Sequence, residues 1–376
     1  MTHEDVDTLI IGAGQAGLAT AYHLTRAGRE VLVVDAHERV GDGWRQQWDS
    51  LRLYSPARYD GLPGMPFPAP RWSFPGKDEV ADYFEAYAER LGLPVRLGRR
   101  VDRLEADGDR YLATLSDPTG DRTGELTIGA DNVVVATGTF GRTPYVPEFA
   151  DRLDPLIMQL HSNQYRRPSQ LREGPVLVVG ASHSGADVAY EVAETHPTIL
   201  CGRDPGQIPV RLGTPMFRVV FPLVVFAFTH VLSRRTPMGR KEMDEFRFHG
   251  GPALRVKRAD LLARGVERLP ERAVGVEGGR PLLADGRVAD VANVVWCTGF
   301  QQAFDWIDVP VFDEHGWPRE LRGVVDEAPG LFFCGLAFQS GASSMLIVGA
   351  RRDAAYVAKR IQQRSRTLRR PAAQAA

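Results

Sequence analysis

Two glycine-rich stretches have the residue types and spacing of a phosphate cradle. In the first, the apolar run Thr8 to Ile11 leads into G-A-G-Q-A-G, with Gly12, Gly14 and Gly17 in the order G-x-G-x-x-G. A helix-like segment follows, and a second apolar run, V-L-V-V, ends at Asp35. A strand, a turn without side chains and a helix start let backbone N–H groups approach a pyrophosphate. The acid, 18 positions past Gly17, is placed to accept both hydroxyls of a ribose. The second stretch repeats the pattern: V-L-V-V-G-A-S-H-S-G superposes Gly180 on Gly12, Ser182 on Gly14, Gly185 on Gly17 and Arg203 on Asp35, all at an offset of 168 residues. An arginine in place of the acid suits a doubly charged 2′-phosphate, which it can meet through charge-assisted hydrogen bonds. The first unit therefore reads as a site for FAD or NAD, and the second as a site for NADP. Ser182 narrows the space for backbone approach. Its hydroxyl and that of Ser184 could donate to phosphate, or both could be small packing residues at a helix start.

The elements that must position these loops are legible around them. Asp78 to Leu91 has helical spacing, with Val80, Tyr83, Phe84, Tyr87 and Leu91 on one side. From about 99 to 129 apolar and polar residues alternate between turn signals, at D-G-D and at P-T-G-D-R-T-G, which predicts a β-meander. D-N-V-V-V-A-T-G then returns to a parallel strand, and A-N-V-V-W-C-T-G-F does the same after the second loop, so each T-G closes one nucleotide-binding unit. P-G-L-F-F-C-G-L predicts a last strand ending at Gly335, followed by a helix from about Ser343 to Gln362 and a frayed basic tail. The interval 207–258 is an insertion in the second unit. Its Phe217, Phe221, Phe226 and Phe228 could line an apolar substrate wall, pack as core, or form an interfacial helix resting on a membrane or partner.

Composition narrows the classes. Across 376 residues, 46 basic side chains nearly balance 47 acidic ones, leaving no electrostatic footprint for nucleic acid. The length fits two domains, or one interrupted by another. Cys201, Cys297 and Cys334 are far apart in sequence, with no C-x-x-C pair for dithiol chemistry or zinc, and the histidines show no metal spacing. Val219 to Val231 is broken by Pro222 and is shorter than the roughly 20 residues a bilayer span needs. The acidic first residues show no signal peptide, so a cytoplasmic location is expected.

Taken in order, G-A-G-Q-A-G, G-D-G-W-R at Gly41 to Arg45, A-T-G at Ala136 to Gly138, H-S-N-Q-Y-R at His161 to Arg166, the second loop, C-T-G-F and L-F-F-C-G-L resemble the class B flavoprotein monooxygenases over nearly the whole chain. The sequence is most similar to compact flavin-containing monooxygenase-like proteins, which include plant YUCCA-type enzymes and bacterial relatives labelled as potassium-transport-associated flavoproteins. The resemblance implies an α/β fold like that of glutathione reductase, with two Rossmann-type dinucleotide-binding domains, the NADP domain inserted in the FAD domain. The expected boundaries are 1–148 and 299–376 for the FAD domain, 149–172 for a linker and 173–298 for the NADP domain.

Under this resemblance FAD would be held by Gly12, Gly14, Gly17, Asp35, Gly43, Trp44, Arg45, Val101, Ala136, Thr137, Gly138 and Gly335. NADPH would be held by Gly180, Ser182, Ser184, Gly185, Arg203, Thr298 and Gly299. Trp44 and Trp48 would flank the flavin or serve as aromatic core. The implied reaction inserts one oxygen atom from O2 into a small, partly apolar substrate through a flavin (hydro)peroxide. The alternatives are an NADPH-dependent flavin reductase or oxidase, and a nucleotide-sensing subunit associated with transport. The family motif F-x-G-x-x-x-H-x-x-x-Y is half present: His161, Tyr165 and Arg166 match, while Pro155 and Ile157 replace its phenylalanine and glycine. His161 is expected to support the linker. Where family members carry an asparagine near the flavin, this chain has Tyr54 and Ser55, either of which could donate a hydrogen bond. A homodimer and peripheral membrane contact are compatible with the sequence.

Overall fold

The computed structural model describes residues 2–117, 126–138 and 143–369. The turn expected within 118–125 and the tail beyond 369 lie outside the described residues. The chain opens with β1 (Thr2–Ile11), α1 (Gln15–Arg26), β2 (Val31–Val34), the short α2 (Asp42–Arg45) and α3 (Lys77–Arg90). Strands β3 (Val95–Arg96), β4 (Arg100–Asp107), β5 (Arg110–Ser116) and β6 (Leu126–Val135) follow, then β7 (Thr143–Pro144). The next part holds β8 (Met158–His161), β9 (Val176–Val179), α4 (His183–Val192), β10 (Thr198–Cys201), α5 (Pro215–Phe226), α6 (Pro237–Phe248) and α7 (Arg258–Ala263). It continues through β11 (Glu267–Leu269), β12 (Ala273–Glu277), β13 (Arg280–Leu283) and β14 (Asn293–Trp296). The chain ends with β15 (Phe300–Gln301), β16 (Ile307–Asp308), β17 (Leu331–Phe333) and α8 (Ile347–Arg369).

Two sheets organise these elements. The first runs β16-β4-β5-β6-β1-β2-β3, with β17 also on β6. Strand β6 has two partners on one edge: its first half pairs antiparallel with β5, from Tyr111↔Ala130 to Leu115↔Leu126. Its second half takes β17 in parallel, from Leu331↔Val133 to Phe333↔Val135. The second sheet is wholly parallel, in the order β11-β10-β9-β14-β8. Between them the chain crosses out along β7 and back along β15, and these two crossings pair with each other. The fold is thus α/β, with two Rossmann-type units, the second inserted in the first.

The apolar runs explain the layering. Strands covered on both faces need no polar alternation, and all four residues of V-L-V-V in β9 are buried. Helix α1 buries Leu18, Ala19, Ala21 and Leu24 in the same core as Ala350, Ala354, Val357 and Ile361 of α8, a spacing that keeps one stripe inward. Helix α8 begins later and runs longer than the spacing predicts, because 342–345 form a separate single turn. Among the described residues no helix is long and apolar enough to cross a membrane.

Candidate functional site

Both glycine loops are built by the same contacts. A Cβ on Gly12 would lie 2.5 Å from the Ala136 carbonyl oxygen, and one on Gly180 would lie 2.3 Å from that of Cys297. Each first glycine therefore touches the strand end that closes its own unit. A Cβ on Gly17 would fall 1.8 Å from the Gly12 oxygen, and one on Gly185 would fall 1.6 Å from the Gly180 oxygen. No side chain fits there, so each helix starts directly against its strand. Gly14 differs: none of the described residues lies within 4 Å of its Cβ position, which leaves the start of α1 open to a ligand among them.

Asp35 ends β2 beside this opening and is 9% exposed. One carboxylate oxygen accepts from the Ala13 N–H at 2.6 Å, and the other accepts from the backbone and ring nitrogens of His37 at 2.9 and 2.7 Å. Burial pushes its carboxyl up, but the hydrogen bonds from His37 and Ala13 outweigh it and hold the group below its usual value. A cavity of about 190 Å³ runs past Gly12, Asp35, Val101, Thr137 and Trp306. Gly335 follows β17 with φ of 92°, and a Cβ there would meet Ala16 at the start of α1. The first unit thus presents a glycine turn, an ionised acid and a cleft, which fits a dinucleotide with a free ribose.

The second cradle has the same frame and a different filling. Ser182 precedes α4, and Ser184 and Gly185 lie in its first turn. The Ser182 hydroxyl donates to the Gly251 carbonyl at 2.9 Å, and Arg203 is half exposed, 2.8 Å from Glu245. Thr298 donates to the Tyr145 carbonyl. Gly299 has φ of 84°, and its carbonyl lies 3.0 Å from His161 Nε2.

The remaining expected residues make contacts within the protein. The Arg45 guanidinium is bound to Val40 O, Asp42, Asp82 and Glu85, all within 3.0 Å. Its side chain thereby ties α2 to α3. Gly43 and Trp44 lie in α2 beside it, with Trp44 half-buried between the cores of both units. Trp48 packs in the second unit's core with Tyr165. Tyr165 is fully buried and donates to Glu191 at 3.1 Å, Arg166 bonds the nearby Asn163 and Tyr165 carbonyls, and His161 joins β8 to the turn at Gly299. These contacts tie Tyr165 to α4 and His161 to the turn at Gly299.

The four phenylalanines do not make one wall. Phe217 and Phe221 are buried and meet Trp72, Phe74 and Tyr59 of the first unit. Phe228 instead packs on Phe246, and Phe226 is 58% exposed. The helical period decides this, because residues four apart share a face and 226 has turned outward.

The seam between the units holds residues that composition could not reveal. Tyr54 donates to Asp187 of α4 at 2.8 Å, and Arg255 lies 2.9 Å from the same oxygen. The Tyr54 ring packs on that of His183, with centroids 4.9 Å apart and the planes tilted by 31°. Burial, then the charge of Asp187, pushes the Tyr54 phenol well above its usual value, and burial likewise raises Asp187. Ser55 donates to Asp60 at 2.5 Å. Asp60 is 1% exposed, its second oxygen has no hydrogen-bond partner among the described residues, and burial pushes its carboxyl up to about 7. No spacing rule pointed to Asp60, Asp187 or Arg255; only the buried acid within α4 was a signal. A larger cavity, about 370 Å³, lies between Arg247, Trp317 and Glu320, and none of the cradle residues lines it.

The model of the pyridine nucleotide-disulphide oxidoreductase family matches residues 9–205, which span the first cradle, the second cradle and Arg203. The chain belongs to that family. It is 35% identical to the CzcO-like oxidoreductase of Geobacillus kaustophilus over 94% of this chain and 97% of that one. It is 30% identical to the indole-3-pyruvate monooxygenase YUCCA1 of rice over 61% of this chain and 54% of the relative. The structure is similar to a flavin-containing monooxygenase from Stenotrophomonas maltophilia, with a TM-score of 0.72, 26% identity, and coverage of 96% and 99% of the two chains. Within the family it is an oxidoreductase of the flavin monooxygenase type. The three cysteines are free, and burial pushes Cys201 up to about 11 and Cys297 and Cys334 up to about 12. Such thiols carry little thiolate near neutral pH.

Proposed function

We propose that the protein is an NADPH-dependent FAD monooxygenase that transfers one oxygen atom from O2 to a small, partly apolar substrate. The observation that carries this reading is one cradle built twice with opposite charge at the equivalent residue, a buried Asp35 against a half-exposed Arg203. Gly12, Gly14, Gly17 and Asp35 would hold the FAD diphosphate and ribose, and the cleft at Val101 and Thr137 would take the adenosine end. Gly180, Ser182, Gly185 and Arg203 would hold NADPH. FAD, when bound, supplies hydride acceptance and oxygen chemistry.

The chain's own side chains orient and exclude. Tyr54, kept neutral, donates to Asp187 and so fixes the start of α4 against the first unit. The half-buried Ser55 and the buried Asp60 form a pair that can hold a proton near neutral pH. Phe217 and Phe221, seated on Tyr59 and Trp72, keep water from this side. The test is anaerobic reduction of the yellow protein by NADPH, then mixing with O2 under rapid-scan absorbance. A long-lived species before oxidised FAD returns supports the monooxygenase. Immediate return with hydrogen peroxide, unchanged by any amine, sulfide or keto acid, refutes it in favour of a reductase or oxidase.

The outer face of α5 supports a peripheral contact with an anionic lipid surface. Met216, Val219, Leu223 and Phe226 are 58–66% exposed along one stripe. The chain has no acid between Asp204 and Glu242 while it carries five arginines and a lysine there; Arg211 and Arg234 are paired with Asp260 and Glu320, and Arg218, Arg235, Arg240 and Lys241 are the cations this reading offers to anionic headgroups.

A further inference from the structure

The second cradle is covered by its own chain. Helix α6 ends at Phe248, and the residues after it cross the start of α4. Glu245 accepts from Arg203 at 2.8 Å, and the Gly251 carbonyl accepts from Ser182 at 2.9 Å. A Cβ on Gly250 would fall 2.5 Å from the Ser182 side chain, and one on Gly251 would fall 3.2 Å from the His183 ring. At the equivalent place in the first unit, none of the described residues comes within 4 Å of a Cβ on Gly14. One frame is thus open and its copy is filled.

The groups engaged by this strap are those the phosphate-bearing half of NADP needs: an arginine, a hydroxyl and a helix start. We infer that residues 245–252 compete internally for the cradle, and that Glu245 is a specificity-determining residue occupying Arg203 until a 2′-phosphate displaces it. The inference rests on reading the second unit as the NADP site. A 2′-phosphate brings close to two negative charges to the guanidinium in exchange for one carboxylate, whereas the 2′-hydroxyl of NADH brings none. NADH therefore meets an intact ion pair.

The pair is suited to exchange. Arg203 and Glu245 are 46% and 49% exposed, and an exposed pair of this kind shifts an equilibrium by at most about fivefold. His249 lies 3.1 Å from the other oxygen of Glu245 and gives the released carboxylate a second partner. Arg247 is held over the Trp317 ring at 4.7 Å and lies 3.5 Å from Glu320, so α6 stays anchored while its Glu245 side lets go. The two glycines are what allow the strap to lie directly on Ser182.

The test uses FAD-loaded wild type, Glu245→Gln, Arg203→Ala and the double variant. Binding of 2′,5′-ADP, NADP+ and NAD+ is measured by titration calorimetry, and amide hydrogen exchange at 245–252 is followed with and without NADP+. Glu245→Gln is expected to tighten 2′,5′-ADP and NADP+ by about two- to fivefold, and NADP+ to raise exchange in the strap. Arg203→Ala is expected to weaken NADP+ while leaving NAD+ binding equal or stronger, with no further gain from adding Glu245→Gln. Unchanged or weaker binding by Glu245→Gln, or protection of the strap by NADP+, overturns the inference and makes the strap a fixed wall of the site. If no protein binds NADP+ or 2′,5′-ADP, the assignment of NADP to the second unit falls, and the competitor role falls with it.

Discussion

Replacing Asp60 by asparagine isolates a buried carboxyl poised to titrate near neutral pH. Burial pushes this group from 3.8 up to about 7, and the Ser55 hydroxyl and the Arg351 charge recover only part of the cost. The unpartnered second oxygen agrees, because a buried carboxylate oxygen without a donor favours the neutral form. Between about pH 4 and 7 the folded chain keeps this proton and the unfolded chain has lost it. The unfolded state then binds fewer protons, so stability falls as pH rises through that window. Three pH units at about 1.4 kcal/mol each give an upper bound of about 4 kcal/mol. Asparagine keeps the shape and removes the titration. Urea unfolding of both proteins from pH 4 to 8.5 should therefore show Asp60→Asn gaining on wild type as pH rises, with the gap levelling above pH 7. A gap that stays constant across this range would refute the reasoning and place an ionised, solvated carboxylate at Asp60.

Gly17→Ala should abolish bound FAD, since its Cβ would lie 1.8 Å from a backbone oxygen; flavin absorbance after purification decides this. Asp35→Ala should lower FAD retention without changing nicotinamide preference, because the ribose loses its charged acceptor, and flavin content with NADPH and NADH kinetics checks both halves. Arg203→Ala should weaken NADPH and not NADH, by on the order of 1.5–3 kcal/mol for a charged hydrogen bond, read from KM for each nucleotide. Leu223→Glu should reduce sedimentation with anionic vesicles while leaving soluble NADPH oxidation unchanged; equal sedimentation would exclude the α5 face as the contact.

The two cradles were legible because their requirements are local. A turn that touches its own strand end admits only glycine, and the acid or arginine follows at a distance set by one helix and one strand, so spacing alone exposed Gly12, Gly17, Gly180 and Gly185. The difference between Asp35 and Arg203 was legible for the same reason, whereas the insertion of the second unit came from the family resemblance and not from spacing. Helix α8 was legible in kind but not in extent, because the glycine and serines before it close a separate turn.

Contacts between distant residues left no such pattern. Arg45 matches a flavin-side motif in sequence, yet three carboxylates surround it, two of them on a helix more than thirty residues away. Tyr54 meets Asp187 across 133 positions, and Asp60 acquires its raised carboxyl from the packing around it. Glu245 reads as an ordinary helix-surface acid until the fold sets it on Arg203. Sequence by itself carried the proposed assignment of a dinucleotide to each unit, because it rests on local backbone geometry and the sign of one charge. Only the tertiary structure decided which cradle is open and which the chain fills itself, because burial and ion pairing depend on what long-range packing brings alongside.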